Sequence, residues 1–238
     1  MNLAYAAMTL PLKGRWPRRG MWAAAKLGLL RLVIVFTLLA GATGNAWESQ
    51  KVMAAAQRLG PATAALAQAL IQEIAESVSA DELTRLKRLN VFFNRHIAYR
   101  DDLEIWGQVD YWATPLEMLS KGAGDCEDYA IGKYFSLIAA GVPAVKMRLV
   151  YVRAEVGGAV QAHMVLAYYA DPLAEPLILD NLITDIRPAS RRPDLAPVFS
   201  FNAEGLWQGV GSTTAGDPVA RLSRWREVLT KTRAEGWW

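Results

Sequence analysis

The stretch Gly124-Asp125-Cys126-Glu127-Asp128-Tyr129-Ala130 decides the architecture, because it places a cysteine among carboxylates at the predicted start of a helix. An apolar run follows and ends at Gly141-Val142-Pro143. Asp125 is a suitable N-cap, Asp128 stands at the third helical position to reach back, and Cys126 takes the first. A structural cysteine is expected among apolar neighbours, whereas the N–H groups of a first helical turn lower a thiol's pKa. The only cysteine of the chain is therefore predicted to be a nucleophile.

A histidine for this thiol lies in the region downstream, which has the pattern of a sheet. Three strands are predicted there, with a turn at Gly157-Gly158 between the first two: Lys146 to Val152, Val160 to Tyr169, and Leu177 to Asp180. His163 lies on the middle strand and Asp180 ends the last. Thiol, imidazole and carboxylate converge if the helix start packs against this sheet. The predicted fold class is therefore α+β, with a catalytic helix packed on an antiparallel sheet.

The chain upstream of the cysteine is mainly helical in pattern. Residues 62–78 form an alanine-rich helical segment, and Ser79-Ala80-Asp81-Glu82 predicts a capping box for the next helix. That helix carries apolar residues on one face: Leu83, Leu86, Leu89, Phe93 and Ile97. His96, in its last turn, is predicted to be structural or exposed. The aromatic stretch from Tyr99 to Lys121 lines a groove or packs in the core, and contains a short helix starting at Thr114-Pro115.

Composition indicates one domain and argues against general nucleic-acid binding. The 238 residues are 53% hydrophobic, which is enough for a full core, and the net charge is +3. The basic excess is local, since residues 1–46 contain several lysines and arginines and the first acidic residue is Glu48. Without this segment, acidic residues slightly outnumber basic ones in 47–238, so no cationic surface is predicted for that domain.

The first 46 residues have the pattern of a secretory signal peptide. The apolar run Leu32 to Ala40 follows a cationic stretch and is too short to span a bilayer. Small residues at Gly44 and Ala46 predict cleavage before Trp47 and a periplasmic mature protein, with translation starting at Met1 or at Met21. An uncleaved anchor is the alternative. Export with a single cysteine excludes an internal disulfide framework, so function explains the free thiol better than packing does.

The surroundings of the cysteine resemble a known family. Trp112-x-x-Pro115-x-Glu117-x-Leu119 precedes the cysteine motif, and Ala162-His163-Met164-Val165-Leu166 and the segment from Asn202 to Trp207 follow it. Roughly from Leu83 to the C-terminal helix, the chain resembles the bacterial transglutaminase-like cysteine proteinases, whose best-known members are LapG-type periplasmic proteases. The resemblance implies a papain-like, transglutaminase-like core, a Cys-His-Asp triad and calcium dependence. It also implies cleavage of a large repeat-containing surface adhesin, and control of biofilm attachment by an inner-membrane cyclic di-GMP receptor of the LapD type.

The triad roles follow from the chemistry of each group. Cys126 would attack the scissile carbonyl as a thiolate, His163 would carry the proton to the leaving amine, and Asp180 would fix the imidazole's tautomer. Backbone N–H groups near the helix start would bind the oxyanion. Three other residues compete with Asp180 for the third role: Asn181, Asp171 and Asp185.

Carboxylates beside a catalytic thiol oppose thiolate formation, and a cation would resolve that conflict. Asp125 and Glu127 are expected to project to either side of Cys126, so that their oxygens gather around a hard ion without touching the sulfur. The resemblance places calcium ligands at Asp125, Glu127 and Asp128. Without it, acids in a first helical turn merely stabilise the helix dipole. The ion would either neutralise charge near the thiol or, as we expect, mainly order the segment from Trp106 to Asp125.

Three classes of function remain open on these residues. The first is a calcium-dependent periplasmic cysteine endopeptidase. The second is a transglutaminase or other acyltransferase with the same triad, because an amine resolves an acyl-enzyme as readily as water does. The third is a non-catalytic periplasmic binding module, against which an intact Cys-His-Asp set argues.

Overall fold

A computed structural model describes residues 47–238, so the predicted signal peptide, residues 1–46, lies outside the described residues. The helices of the described part are α1 (Ser49–Arg58), α2 (Pro61–Ser77), α3 (Glu82–His96), α4 (Asp102–Trp106), α5 (Pro115–Lys121), α6 (Cys126–Ala139), α7 (Pro218–Arg221) and α8 (Ser223–Glu235). The strands are β1 (Ala98–Tyr99), β2 (Ala123–Gly124), β3 (Met147–Val156), β4 (Ala159–Tyr168), β5 (Leu177–Leu179), β6 (Arg187–Pro188), β7 (Leu195–Phe201), β8 (Leu206–Gln208) and β9 (Thr214–Gly216).

A seven-stranded antiparallel sheet forms the second half of the domain, in the order β6-β5-β4-β3-β7-β8-β9. The turn at Gly157-Gly158 joins β3 to β4 and places Val152 opposite His163. Both glycines have positive φ, which residues with a side chain rarely adopt. Strand β4 therefore lies between β3 and β5, and its histidine is in the interior of the sheet, as predicted.

Helix α6 is the central element of the domain and packs on β4 and β3. It is buried on nearly its whole surface because its sequence is apolar almost all the way round. Helices α2, α3 and α5 cover its other side. The α+β class, with N-terminal helices and a catalytic helix against an antiparallel sheet, is thereby confirmed.

The start of α3 differs from the sequence prediction, whereas that of α5 agrees with it. Asp81, rather than Ser79, caps α3 by accepting a hydrogen bond from the Thr84 N–H at 3.0 Å. On the predicted apolar face of α3, Leu83 is half exposed, whereas Leu86 and the residues after it are buried. The predicted start of α5 is confirmed, with a complete capping box between Thr114 and Glu117.

The two ends of the described chain meet. The ring of Trp47 lies 5.0 Å from that of Trp237, and the Glu48 N–H donates to the Gly236 carbonyl at 2.9 Å. Among residues 47–238, no helix is long and apolar enough to cross a membrane.

Candidate active site

Cys126 occupies the first position of α6, as predicted, immediately after the short strand β2. The thiol donates a hydrogen bond to Glu127 Oε2 at 2.9 Å, so Glu127 does touch the sulfur, contrary to the sequence prediction. The backbone of Met164 also faces the sulfur. Since Met164 follows His163 directly on β4, the helix start brings the thiol beside the strand that carries the imidazole.

The environment of the thiol opposes its ionisation in the absence of a cation. Burial raises the pKa of Cys126 far above its ordinary value, and the charges of Glu127 and Asp125 raise it further. The expectation that the helix start lowers this pKa is therefore wrong for the metal-free chain. Burial and adjacent carboxylates outweigh the partial positive charge of the helix end.

His163 and Asp180 form the second part of the site. His163 Nε2 lies 2.8 Å from Asp180 Oδ1, and both residues are almost completely buried. Asp180 follows β5 directly, and the antiparallel pairing of β5 with β4 carries it back towards the histidine. With Nε2 bound to the carboxylate, the neutral imidazole carries its proton there, which leaves Nδ1 as the basic atom.

The carboxylate of Asp180 stays ionised despite its burial. Burial alone would raise the pKa of Asp180, but the hydrogen bond and charge of His163, followed by those of Arg192, lower it to about 2. Asp180 Oδ1 also accepts from the N–H groups of Asn181 and Leu182, at 2.7 and 3.2 Å. A permanently ionised partner is what an imidazole needs in order to be held in one tautomer.

The alternatives to Asp180 lie elsewhere. Asn181 contributes its backbone N–H to Asp180, while Asp171 is exposed in a turn and accepts from the Leu173 N–H. The side chain of Asp185 is 79% exposed and faces an arginine on the surface. His96 is also exposed, and its Nδ1 lies 2.9 Å from the Phe92 carbonyl, in agreement with the structural role predicted for it.

An acidic cluster surrounds the start of α6 and is larger than the sequence predicted. The structure brings the three predicted ligands, Asp125, Glu127 and Asp128, together with Asp102 and Asp110. In each of three overlapping groups, the ligand atoms lie within 4.8 Å of one another: Asp125 with Cys126 and Glu127; Asp102 with Asp110 and Glu127; and Asp102 with Asp125 and Asp128. Asp102 and Asp110 were not identified as ligands from the sequence, because both lie outside α6 and more than ten residues before Cys126.

Several buried carboxylate oxygens of the cluster have no hydrogen-bond partner in the described part of the protein. Asp125 Oδ1, Asp128 Oδ2 and Asp102 Oδ1 are buried without a hydrogen-bond partner among the described residues. Asp125 was expected to cap α6 and Asp128 to reach back to the helix start. Asp125 makes no capping hydrogen bond, so that prediction is wrong, whereas the Asp128 carboxylate faces the backbone N–H of Asp125 as well as that of Ala113, from which its Oδ1 accepts at 2.7 Å. The carboxylates of Asp102, Asp125 and Asp128 also lie close to one another.

Each buried carboxylate of the cluster has a raised pKa. Burial is the main cause throughout, and the neighbouring charges add to it. The pKa of Asp102 rises to about 6 and that of Asp125 to about 10, while that of Asp128 lies well above its ordinary value. Since several oxygens with no donor to satisfy them are what a hard divalent cation requires, these residues fit such an ion.

Gly124 is required for this arrangement. A Cβ added there would lie 2.8 Å from the Asp128 Cβ and 2.9 Å from its Oδ2. The backbone before the cysteine therefore approaches the deepest carboxylate as closely as glycine permits, which explains the residue at this position of the motif.

The aromatic stretch before the cysteine both packs and lines a cavity. Trp106 and Tyr111 lie 4.4 Å apart between ring centroids, and Trp112 stacks on Phe201 at 5.6 Å. Seven residues line an adjacent cavity of about 360 Å³: Gln108, Asp110, Tyr111, Trp112, Ser223, Arg224 and Glu227. Because Asp110 belongs to the acidic cluster as well, the cavity adjoins the candidate cation site.

Comparisons with known proteins agree with this geometry. Residues 64–194 match the sequence profile of a family described as bacterial transglutaminase-like cysteine proteinase. The fold is similar to that of Legionella pneumophila LapG in an EGTA-treated form, with 39% identity and a TM-score of 0.70 over 78% of this chain and 98% of LapG. A calcium-bound form of the same Legionella protein matches with 39% identity and a TM-score of 0.67, covering 78% of this chain and 99% of that one. A comparison with curated proteins found no significant match.

Proposed function

Because the chain belongs to the bacterial transglutaminase-like cysteine proteinases, we propose that Cys126, His163 and Asp180 are the catalytic triad of a calcium-dependent endopeptidase. The observation that carries the proposal is the hydrogen bond between His163 and Asp180. His163 lies on β4, and β4 passes the start of α6, where the chain's only cysteine is located. The orientation of the imidazole leaves Nδ1 for the thiol.

The proposed reaction is acyl transfer to water. His163 Nδ1 takes the thiol proton, the sulfur of Cys126 attacks the scissile carbonyl, and the imidazolium then protonates the leaving amine. Water, deprotonated by the same imidazole, releases the new carboxylate and restores the thiol. Asp180 keeps Nε2 protonated throughout, so that only Nδ1 exchanges protons with the reacting groups.

The oxyanion is assigned to the first turn of α6. The N–H groups of a helix start have no partner within the helix, and they carry partial positive charge. Cys126 is at the first position, so the developing negative charge forms next to these donors.

Calcium is assigned to the acidic cluster, with Asp125, Glu127 and Asp128 as ligands and Asp102 and Asp110 as further candidates. Bound there, the ion would supply positive charge beside the thiol and satisfy the unpartnered oxygens. The positive charge of the ion would offset the charges of Asp125 and Glu127, which raise the pKa of Cys126. The 2.9 Å contact between Glu127 and the sulfur supports this charge mechanism.

The same ion would also order the approach to the site. Asp102 Oδ2 accepts from the Tyr111 N–H, and Asp128 Oδ1 accepts from the Ala113 N–H. The cluster therefore holds the backbone on both sides of Trp112. Loss of the cation would loosen this aromatic segment as well as raise the negative charge near the thiol, so the two mechanisms act together.

The biological assignment rests on the similarity to LapG-type proteases and on the pattern of residues 1–46. The mature protein would act in the periplasm, after cleavage of the signal peptide before Trp47. Its substrate would be a large repeat-containing surface adhesin, and an inner-membrane cyclic di-GMP receptor of the LapD type would hold the protease until adhesin release is required.

The test compares the surface proteins of cells producing the wild type, Cys126→Ser or His96→Ala. We expect one large surface protein to be shortened and released with the wild type and with His96→Ala, and to be retained with Cys126→Ser. Mass spectrometry of the released fragment should find a free carboxylate at the cut. Amine-linked products instead would identify an acyltransferase, and cleavage by Cys126→Ser would refute the triad.

The receptor is tested separately, in membranes from the same cells. The mature chain should recover an integral membrane protein, and release of the adhesin should change when the cyclic di-GMP level changes. Failure of both measurements would remove the receptor and leave the protease assignment in place.

A further inference from the structure

Arg192 touches the candidate triad from the side opposite His163. This arginine is 2% exposed and lies directly after the 3-10 turn Ala189–Arg191, three residues before the start of β7. Its Nη2 donates to Asp180 Oδ2 at 2.7 Å, so the second oxygen of the triad carboxylate is occupied by a buried cation. Nothing in the motif around Cys126 indicated such a residue.

The guanidinium is itself held in a fixed orientation. Its Nε donates to Asp194 Oδ1 at 3.0 Å, and Nη2 donates to Asp194 Oδ2 at 2.7 Å. This is the two-point contact that a planar guanidinium makes with a carboxylate. Asp194 thus anchors the arginine, and the arginine in turn presents one N–H to Asp180.

The backbone of Asp180 is held as well. Its carbonyl accepts from Lys133 Nζ and from Asn94 Nδ2, each at 3.0 Å. Lys133 is completely buried and belongs to α6, the helix that begins with Cys126. The main chain of Asp180 is therefore tied to the nucleophile's helix, and the orientation of its carboxylate is set by the donors to Oδ1 together with Arg192, which is the donor to Oδ2.

We propose that Arg192 is a positioning residue, which holds the Asp180 carboxylate so that Oδ1 faces His163 and which limits how strongly that carboxylate stabilises the imidazolium. The inference rests on the proposed triad. A buried carboxylate with one unpartnered oxygen would rotate to share both oxygens with its remaining donors. With Arg192 on Oδ2, Oδ1 is reserved for His163 and two backbone N–H groups.

The charges around the pair give the direction of the effect. The charged or titratable groups that act on Asp180 are His163, Lys133, Arg192 and Asp194. Arg192 is the permanent cation among them, because burial lowers the pKa of Lys133 to about 7. Removing Arg192 takes away a positive charge near the imidazole and leaves Asp180 ionised by its N–H donors. The imidazolium form of His163 therefore becomes more stable.

The experiment compares the wild type with Arg192→Gln, Arg192→Lys and Arg187→Gln, a control for the loss of a nearby exposed arginine. We expect Arg192→Gln to lower kcat about 10- to 100-fold with little change in KM, as for loss of an interaction that aligns the catalytic groups. The acid limb of its pH profile, below which His163 is already protonated and cannot take the thiol proton, should move to higher pH. Arg192→Lys should restore the limb and part of kcat, because lysine keeps the charge but not the planar fork.

Nitrogen NMR on histidine-labelled protein follows the titration of His163, which would not change if Arg192 had a structural role alone. The chain has two histidines, so exposed His96 serves as an internal reference. His163 should titrate at higher pH in Arg192→Gln and as in the wild type in Arg187→Gln, with His96 unchanged in both.

The outcomes separate this inference from the proposed function. An unaltered kcat and an unaltered His163 titration in folded Arg192→Gln would overturn the positioning role, even if Cys126→Ser is inactive. If Arg192→Gln does not fold, Arg192→Lys decides: full wild-type kcat there would refute the requirement for the fork. Activity of Cys126→Ser would instead refute the triad itself.

Discussion

Asp128→Asn should destabilise the calcium-loaded protein and stabilise the protein in EGTA, because the carboxylates of the acidic cluster repel one another without a cation. The ligand atoms of Asp102, Asp125 and Asp128 lie within 4.8 Å of one another. At an effective dielectric constant of about 20, each ionised pair costs about 3 kcal/mol, and three pairs cost about 10. This is comparable to the entire stability of a typical domain.

The metal-free protein escapes most of this cost by retaining protons, which is why the pKa values of these three groups are raised. At a calcium concentration 1,000 times its Kd, binding stabilises the folded state by about 4 kcal/mol. In a domain of this size, 1 kcal/mol corresponds to about 2–4 °C in Tm. We therefore expect EGTA to lower the Tm of the wild type by about 8–16 °C at pH 7.

Asp128→Asn separates electrostatics from packing. Asparagine keeps the Oδ1 that accepts from the Ala113 N–H, but it removes one charge from the cluster. In EGTA the variant should melt at or above the wild-type temperature. In calcium it should melt below the wild type, because one ligand charge is lost. Asp171→Asn, an exposed carboxylate outside the cluster, should behave as the wild type in both conditions.

Calorimetry with and without EGTA, together with metal analysis of the purified protein, measures whether the order of the Tm values of Asp128→Asn and the wild type reverses. Equal losses of Tm for Asp128→Asn in both conditions would mean that the aspartate acts through packing alone. A wild type whose Tm and turnover are indifferent to EGTA, and which contains no metal, would show that the carboxylates only interact with the helix dipole.

Three further predictions concern catalysis, pH and processing. Cys126→Ser should abolish peptide cleavage in a purified assay while retaining the wild-type Tm, and His163→Ala should abolish it in a protein that remains folded but melts at a lower temperature, because a buried partner of Asp180 is lost. His96→Ala should retain full activity, and the opposite pattern would refute the triad. Burial raises the pKa of Glu235 from 4.5 to about 7, so the folded state binds a proton that the unfolded chain has already lost. Ionisation of Glu235 should therefore lower the free energy of unfolding by about 3 kcal/mol as the pH rises from about 4.5 to about 7, and Glu235→Gln should remove this part of the pH dependence in urea titrations. If the proposed signal peptide is cleaved, N-terminal sequencing of the protein recovered from the periplasmic fraction should begin near Trp47, and an intact N-terminus on membrane-extracted protein would indicate an anchor.

The local pattern was sufficient for the helix that begins at Cys126 and for strands β3, β4 and β5, which position the candidate triad, but it did not predict strands β6 to β9. Apolar spacing, the turn at Gly157-Gly158 and the boundary at Gly141-Val142-Pro143 are short-range signals, and the helix and strands appear where these signals predicted them. Because strand pairing brings a residue that ends one strand next to the interior of its neighbour, the pairing of His163 with Asp180 could also be anticipated from strand order.

Tertiary packing supplied the electrostatics, which depend on distances between elements far apart in the chain. Asp102 reaches the cluster from another helix, and Arg192 reaches Asp180 from the loop before β7. The same applies to the pKa of Cys126. A helix start by itself predicts a lowered value, but the burial of the thiol and its contact with Glu127 reverse the sign. The pKa of the thiol depends on burial and on charges that come together only in the folded protein, so the residues adjacent in sequence do not predict it.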